Sequence, residues 1–134
     1  MRVREIWFND MDAVWELLNQ LKFVETSLVD KVEAWKNFNG EGMVVESEGK
    51  IIGFGSLIVE RKIRGYNSAQ IEDVVIDKEF RGIGVGELLI RKMVDKAWEM
   101  KCYRISLFCK EELIGFYTKN GFKVNNVVMK QWME

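Results

Sequence analysis

Arg81-Gly82-Ile83-Gly84-Val85-Gly86, RGIGVG, holds three of the chain's eleven glycines. The apolar run IEDVVI, 71–76, precedes it, and the helical run ELLIRKMVDKAW, 87–98, follows. Glycine belongs where the backbone takes positive φ or must be approached closely. A helix start adds free N–H groups and the positive end of the helix dipole. Together with Arg81 they predict a local anion site, with phosphate as the usual occupant. Without a ligand the same stretch is a tight strand–helix turn. Two better-known phosphate loops fail on spacing. A Walker A loop needs GK[ST], but Glu87 follows Gly86, and GxGxxG needs its third glycine at 87.

Outward from the loop, the pattern predicts a mixed α/β sheet. Residues 69–76 form the strand before the loop, and a helix runs from about 84 to 100. MVVESEGKIIGFGSLIVE reads as a hairpin, 43–47 and 51–60, turning at Glu48-Gly49-Lys50. A strand starts in 2–8. A helix over 11–22 follows, capped by Asn9 or Asp10, with Val14, Leu17, Leu18 and Leu21 on one face. A second helix covers about 29–38. Downstream, 103–109 is a strand, 111–120 a short helix closed by Gly121, and 122–133 holds one or two terminal strands. The order is β-α-α-β-β-β-α-β-α-β(β). The hairpins make the sheet largely antiparallel, not doubly wound.

The 134 residues suit one domain, 1–134. A net charge of -1 implies no general attraction to nucleic acid or anionic membrane. The absence of histidine excludes Ser-His-Asp and Cys-His catalysis and every histidine-containing metal site. Cys102 and Cys109 lack zinc-site spacing and read as buried, reduced thiols, so no metal is expected. The N-terminus is charged throughout, and no run approaches the roughly 20 apolar residues of a membrane helix. A cytoplasmic protein is expected.

The spacing R-x-x-G-x-G, at Arg81, Gly84 and Gly86, resembles the pyrophosphate loop of the GNAT superfamily of acetyl-CoA-dependent N-acetyltransferases. FYTKNGF, 116–122, is similar to a second segment of that family. Within the superfamily, IEDVVIDKEFRGIGVGELLI, CYRISLFC and LIVERKI most resemble glucosamine-6-phosphate N-acetyltransferases. The resemblance implies attack of a primary amine on acetyl-CoA, with no protein nucleophile and no metal. It places the pyrophosphate on the loop from Arg81 through Gly82, Ile83, Gly84, Val85 and Gly86 to Glu87. It pairs the pantetheine arm with the backbone of Val74 and Ile76. An N–H near Val74 or Val75 polarises the carbonyl. Tyr117 matches the family's general acid; read alone, it is a tyrosine on a core-facing helix.

Glu72 and Asp73 are both implicated as proton acceptor or substrate orienter. As neighbours on a strand they should point to opposite faces. Arg61, Lys62 and Arg64 form a basic group that suits a substrate phosphate; the plain alternative is a solvated hairpin end. VNNVVMKQW, 124–132, is either an ordinary last strand or a homodimer contact. Three positions depart from the resemblance. Leu113 replaces an asparagine that contacts the cofactor, Phe108 replaces an acidic residue, and the connection 61–70 looks about two residues short. A peptide N-terminus, lysine or polyamine acceptor, or a non-catalytic acyl-CoA sensor, are the competing readings.

Overall fold

The structure, a computed structural model, describes residues 1–23, 25 and 29–133. Five strands form one sheet in the order β1-β2-β3-β4-β5: Arg2–Glu5, Glu41–Ser47, Lys50–Arg61, Asn67–Ile76 and Cys102–Leu107. The first four pair antiparallel; β4 and β5 are parallel. The β2–β3 turn is two residues, Glu48 and Gly49, both at positive φ (50° and 79°). That backbone matches the twist of a tight hairpin.

Among the described residues, four α-helices flank the sheet: α1 (Met11–Leu18), α2 (Lys31–Asn37), α3 (Val85–Glu99) and α4 (Ile114–Lys119). The β4-α3-β5 unit is a parallel crossover. Leu89, Ile90, Met93 and Ala97 of α3 pack on Val45, Ile52, Leu57 and Ile71 of one sheet face. Val14 and Leu17 of α1 pack on Val44, Phe54 and Val75 of the other. Alternating strand residues therefore feed two apolar layers.

Several boundaries differ from the expectation. Helix α1 stops at Leu18, leaving Leu21 55% exposed. Neither expected residue caps it with its side chain. The Asp10 carboxylate is taken instead by Arg4, at 2.8 and 3.0 Å, and by the Trp7 N–H, at 2.7 Å. Asp30 caps α2 by accepting from the Val32 and Glu33 N–H groups. The expected terminal strands are absent: 123–133 contain no strand, with Val127, Met129 and Trp132 each at least 75% exposed. A strand needs a ladder neighbour, and within one chain the tail has none. Cys109 is exposed rather than buried, because β5 stops at Leu107; only Cys102 is partly covered.

Candidate active site

The glycine loop builds a helix N-terminus. Gly82 and Gly84 have φ of 79° and 90°, and Gly84 is the N-cap of α3. The first ladder bond of α3 runs from the Leu88 N–H to the Gly84 carbonyl, 3.1 Å. The N–H groups of Val85, Gly86 and Glu87 therefore precede the intrahelical ladder. Gly86 serves another purpose. A Cβ there would lie 3.2 Å from Phe116, so its bareness lets α4 approach α3. Arg81 is exposed and donates from Nε to the Ile76 carbonyl, 3.2 Å, tying the loop to the end of β4. Ile83 lies exposed at the loop crest, and the Glu87 side chain pairs with Arg91.

Beside this loop the sheet opens. The β4–β5 ladder ends at Ile71–Leu107, while β4 continues to Ile76. Glu72, Val75 and Ile76 keep their β3 partners, and none of residues 72–76 has a β5 partner. This is a splay with strand backbone on one wall, and it includes Val74, Val75 and Ile76.

A β-bulge sits at its mouth. Ser56 pairs with Glu72 and Phe54 with Val75, so Gly55 alone stands opposite Asp73 and Val74. Asp73 takes φ 54° to make this possible. The bulge interrupts the period-2 alternation. Ile71, Val74 and Ile76 all turn to the α3 face. Glu72 shares a face with its cross-strand partner Ser56, and Asp73 lines the same cleft as Ser56. The expected opposition of Glu72 and Asp73 is thus corrected: both lie on the α1–α2 face. Both side chains are exposed, and Glu72 accepts from Gln70 Nε2 at 3.2 Å.

The cleft below the bulge has a volume of about 160 Å³. Trp15, Trp35, Phe38 and Phe54 contribute aromatic wall, and Ser56 and Asp73 its polar groups. The apolar stripe of α1 omitted Trp15. Trp35 and Phe38 carried a legible signal, an i, i+3 aromatic pair at the end of α2.

Tyr117 approaches from the other face. It is 8% exposed, in the α3 cluster, with its ring edge-on to Phe116 and Phe122 at 4.9 and 5.9 Å. Burial pushes its phenol pKa above the ordinary value, with a smaller push from the nearby Cys109 thiol. The phenol therefore keeps its proton through neutral pH.

The basic group stands elsewhere. Arg61 pairs with Asn67, five positions along the ladder from the Ser56–Glu72 pair. At about 3.4 Å per residue that is about 17 Å. Lys62 already pairs with Glu60 at 2.9 Å, holding that carboxylate below its usual range, and the turn closes through Lys62 N–H to Tyr66 O. Arg64 is exposed in the same turn. Within one chain the cluster does not surround Asp73. Leu113 caps α4 with its side chain 44% exposed, and Phe108 is 59% exposed just past β5.

Among the described residues no helix is long and apolar enough to cross a membrane, and no group of acidic or thiol side chains could hold a metal.

Comparison with known proteins follows this geometry. The model of the acetyltransferase (GNAT) family matches residues 5–122. Glucosamine 6-phosphate N-acetyltransferase 1 of Oryza sativa subsp. japonica is 35% identical over 123 residues, 84% of this chain and 74% of that one. Glucosamine 6-phosphate N-acetyltransferase of Candida albicans is 32% identical over 89 residues, 65% of this chain and 60% of that one. The chain thus spans less than two thirds of the Candida relative's own length. The crystal structure of glucosamine-6-phosphate N-acetyltransferase from Arabidopsis thaliana superposes with a TM-score of 0.88 at 29% identity, covering 99% of this chain and 98% of that one. Bent strand, open splay and glycine-bearing helix start lie within the matched span, and the chain belongs to the acetyltransferase (GNAT) family.

Proposed function

We propose that the chain transfers an acetyl group from acetyl-CoA to the amine of glucosamine 6-phosphate, by direct attack in a ternary complex. The observation that carries the transfer is the splay at Val74–Ile76, opening beside a helix start whose glycines hold positive φ. The relatives named for glucosamine 6-phosphate support the acceptor.

The pyrophosphate takes the N–H groups of the loop from Ile83 to Glu87, with Arg81 and Gly82 at its entrance. The pantetheine amides pair with β4 as a short added strand. The acceptor ammonium loses a proton to Asp73 or Glu72, directly or through water. The neutral nitrogen attacks the thioester carbon, whose oxygen is held by a β4 N–H near Val74 or Val75. The C–S bond breaks and Tyr117 gives its proton to the leaving thiolate. The nitrogen sheds its second proton, which restores the phenol. One proton reaches solvent in each turnover.

Because Arg61 lies about 17 Å along the ladder from the Ser56–Glu72 pair, we assign the substrate phosphate to Arg61, Lys62 and Arg64 across a homodimer. The bare edge of β5 and the apolar tail 124–133 supply a surface for that dimer. Deleting 124–134 then yields a monomer in sedimentation and raises KM for the sugar phosphate. A full-length monomer removes the assignment. We place the protein in the cytoplasm, where acetyl-CoA and sugar phosphates occur together.

The deciding experiment is an amine panel with acetyl-CoA, read as thiol release. Glucosamine 6-phosphate should show the highest kcat/KM. A higher value for a peptide, lysine or polyamine replaces the acceptor. Failure of acetyl-CoA to raise the Tm removes the transferase reading itself.

A further inference from the structure

We propose that Asp77 and Gln20 are positioning residues for the cofactor, a clasp on the entry to the glycine loop that sets its direction without touching the ligand. The proposal rests on the acetyl-CoA reading of that loop. Among the described residues Asp10 and Asp77 are the buried carboxylates. Asp10 is bound by Arg4, whereas Asp77 stands where β4 leaves the sheet, four residues before Arg81. The Asp77 N–H donates to the Ile52 carbonyl at 2.8 Å, which carries the β3 contact one residue past the strand.

Between Asp77 and Arg81 the chain makes one 3₁₀ turn, Lys78–Phe80. The first N–H groups of such a turn have no partner within it. Here each is answered. Lys78 N–H donates to Gln20 Oε1 at 3.0 Å, and Glu79 N–H to Asp77 Oδ1 at 3.1 Å. Phe80 N–H closes the turn on the Asp77 carbonyl at 2.8 Å. One of these partners comes from just past α1, 58 residues upstream. The turn is therefore pinned from outside its own segment.

A carboxylate is a poor neighbour for an anion site unless its charge is offset and its role is geometric. Lys50 Nζ lies 3.4 Å from Asp77 Oδ2 and 5.5 Å from the centre of the Phe80 ring, which offsets the charge. The Glu79 N–H is the main cause that holds the Asp77 carboxyl below its usual range, with Lys50 and Gln20 adding to it against the opposing effect of burial. The carboxylate thus stays ionised and accepting at neutral pH.

The loop needs this outside support. A Cβ on Gly82 or Gly84 would meet nothing within 4 Å, so neither glycine is held by neighbouring side chains. The loop's direction is set at its two ends, by α3 on one side and by the clasp on the other. Arg81, bonded to the Ile76 carbonyl at 3.2 Å, carries the clasp's geometry into the glycines. Groups that hold a binding loop from behind matter because small misplacements of its donors are costly.

The test compares acetyl-CoA with S-acetylpantetheine, which carries the thioester but no pyrophosphate. Asp77→Ala should raise KM for acetyl-CoA about tenfold with kcat nearly unchanged, while kcat/KM for S-acetylpantetheine stays within about twofold of wild type. Asp77→Asn keeps an acceptor oxygen for the Glu79 N–H and should recover most of the acetyl-CoA affinity. Without cofactor, the Glu79 amide should exchange faster in Asp77→Ala than in wild type. The Tm rise given by coenzyme A should shrink in the same variant. Gln20→Ala should show the same split between acyl donors at about threefold, and it carries the test if Asp77→Ala does not fold. Equal losses with both acyl donors, or an unchanged acetyl-CoA KM in a folded variant, overturn the proposal. If coenzyme A fails to raise the wild-type Tm, the acetyl-transfer reading falls and this proposal falls with it. If coenzyme A raises it and no variant shows the split, this proposal alone falls.

Discussion

Ser56 stands opposite Glu72 on the β3–β4 ladder, yet the next paired residue, Phe54, stands opposite Val75. One residue of β3 thus faces two of β4, and the slack is taken by Asp73 at φ 54°. Asparagine and aspartate tolerate this region; β-branched residues do not. Asp73→Asn should therefore keep the Tm within a few degrees while lowering kcat. Asp73→Val should lose about 1–3 kcal/mol through backbone strain. Thermal melts and steady-state rates on both variants separate the shape of the bulge from its charge. Equal melting of the two would mean that the strain argument fails.

Tyr117→Phe keeps the ring contacts with Phe116 and Phe122 and removes only the phenol. The fold and the acetyl-CoA-induced Tm shift should survive, and kcat should fall about 10²–10⁴-fold. Because burial raises the Tyr117 pKa, the wild-type rate should hold through neutral pH. Its decline should come above the ordinary tyrosine range of about 10. A wild-type rate falling near pH 8 would point to a different acid.

Gly84 and Gly86 are both in the loop but carry different burdens. Gly84→Ala puts a Cβ on a residue at φ 90° with open space around it. It should cost about 1–2 kcal/mol and raise KM for acetyl-CoA, since the loop N–H groups turn away. Gly86→Ala instead presses on Phe116, whose ring lies against Tyr117 at 4.9 Å. It should lower kcat about tenfold with a smaller change in KM, because a modest misplacement of a reacting group is costly. Michaelis parameters for the two variants should diverge; identical profiles would collapse the distinction.

Arg4 holds Asp10 with two hydrogen bonds, and both side chains are nearly buried, 12% and 9% exposed. The hydrogen bond from Arg4 is the main cause that depresses the Asp10 pKa. A depressed carboxyl contributes stability that is present above its unfolded value, about 3.9, and lost as pH falls through the lower folded value. Asp10→Ala should cost about 3 kcal/mol at pH 7, since among the described residues it leaves the nearly buried Arg4 with Glu46 alone as ion-pair partner. Melts from pH 7 to pH 2 should show wild type and variant converging at the acid end.

The glycine loop and its helix were legible because Gly82 and Gly84 do what glycine alone does easily, and because Arg81 sits in register with them. The β2–β3 hairpin was legible from the two apolar runs on either side of Glu48-Gly49-Lys50. The bulge was not legible. Strict alternation assumes an unbroken ladder, and nothing in Glu72-Asp73-Val74 announces that Asp73 will turn left-handed. The same blind spot put Glu72 and Asp73 on opposite faces. The Asn9/Asp10 cap misled for a different reason: Arg4, six residues upstream on β1, offers the Asp10 carboxylate a stronger partner than a helix N–H. The tail was read correctly as apolar and wrongly as a strand, because periodicity describes a side-chain pattern and cannot supply a neighbour's backbone.

The splay also makes β4 a strand with unequal sides. Toward β3, Val75 and Ile76 are paired in a ladder; toward β5, residues 72–76 have no strand to exchange bonds with. Hydrogen–deuterium exchange should see this asymmetry directly. Amides on the open side of 72–76 become an internal gauge, slowing when a cofactor arm lies along them. Site occupancy can then be followed amide by amide, in an unlabelled protein, before any chemistry has taken place.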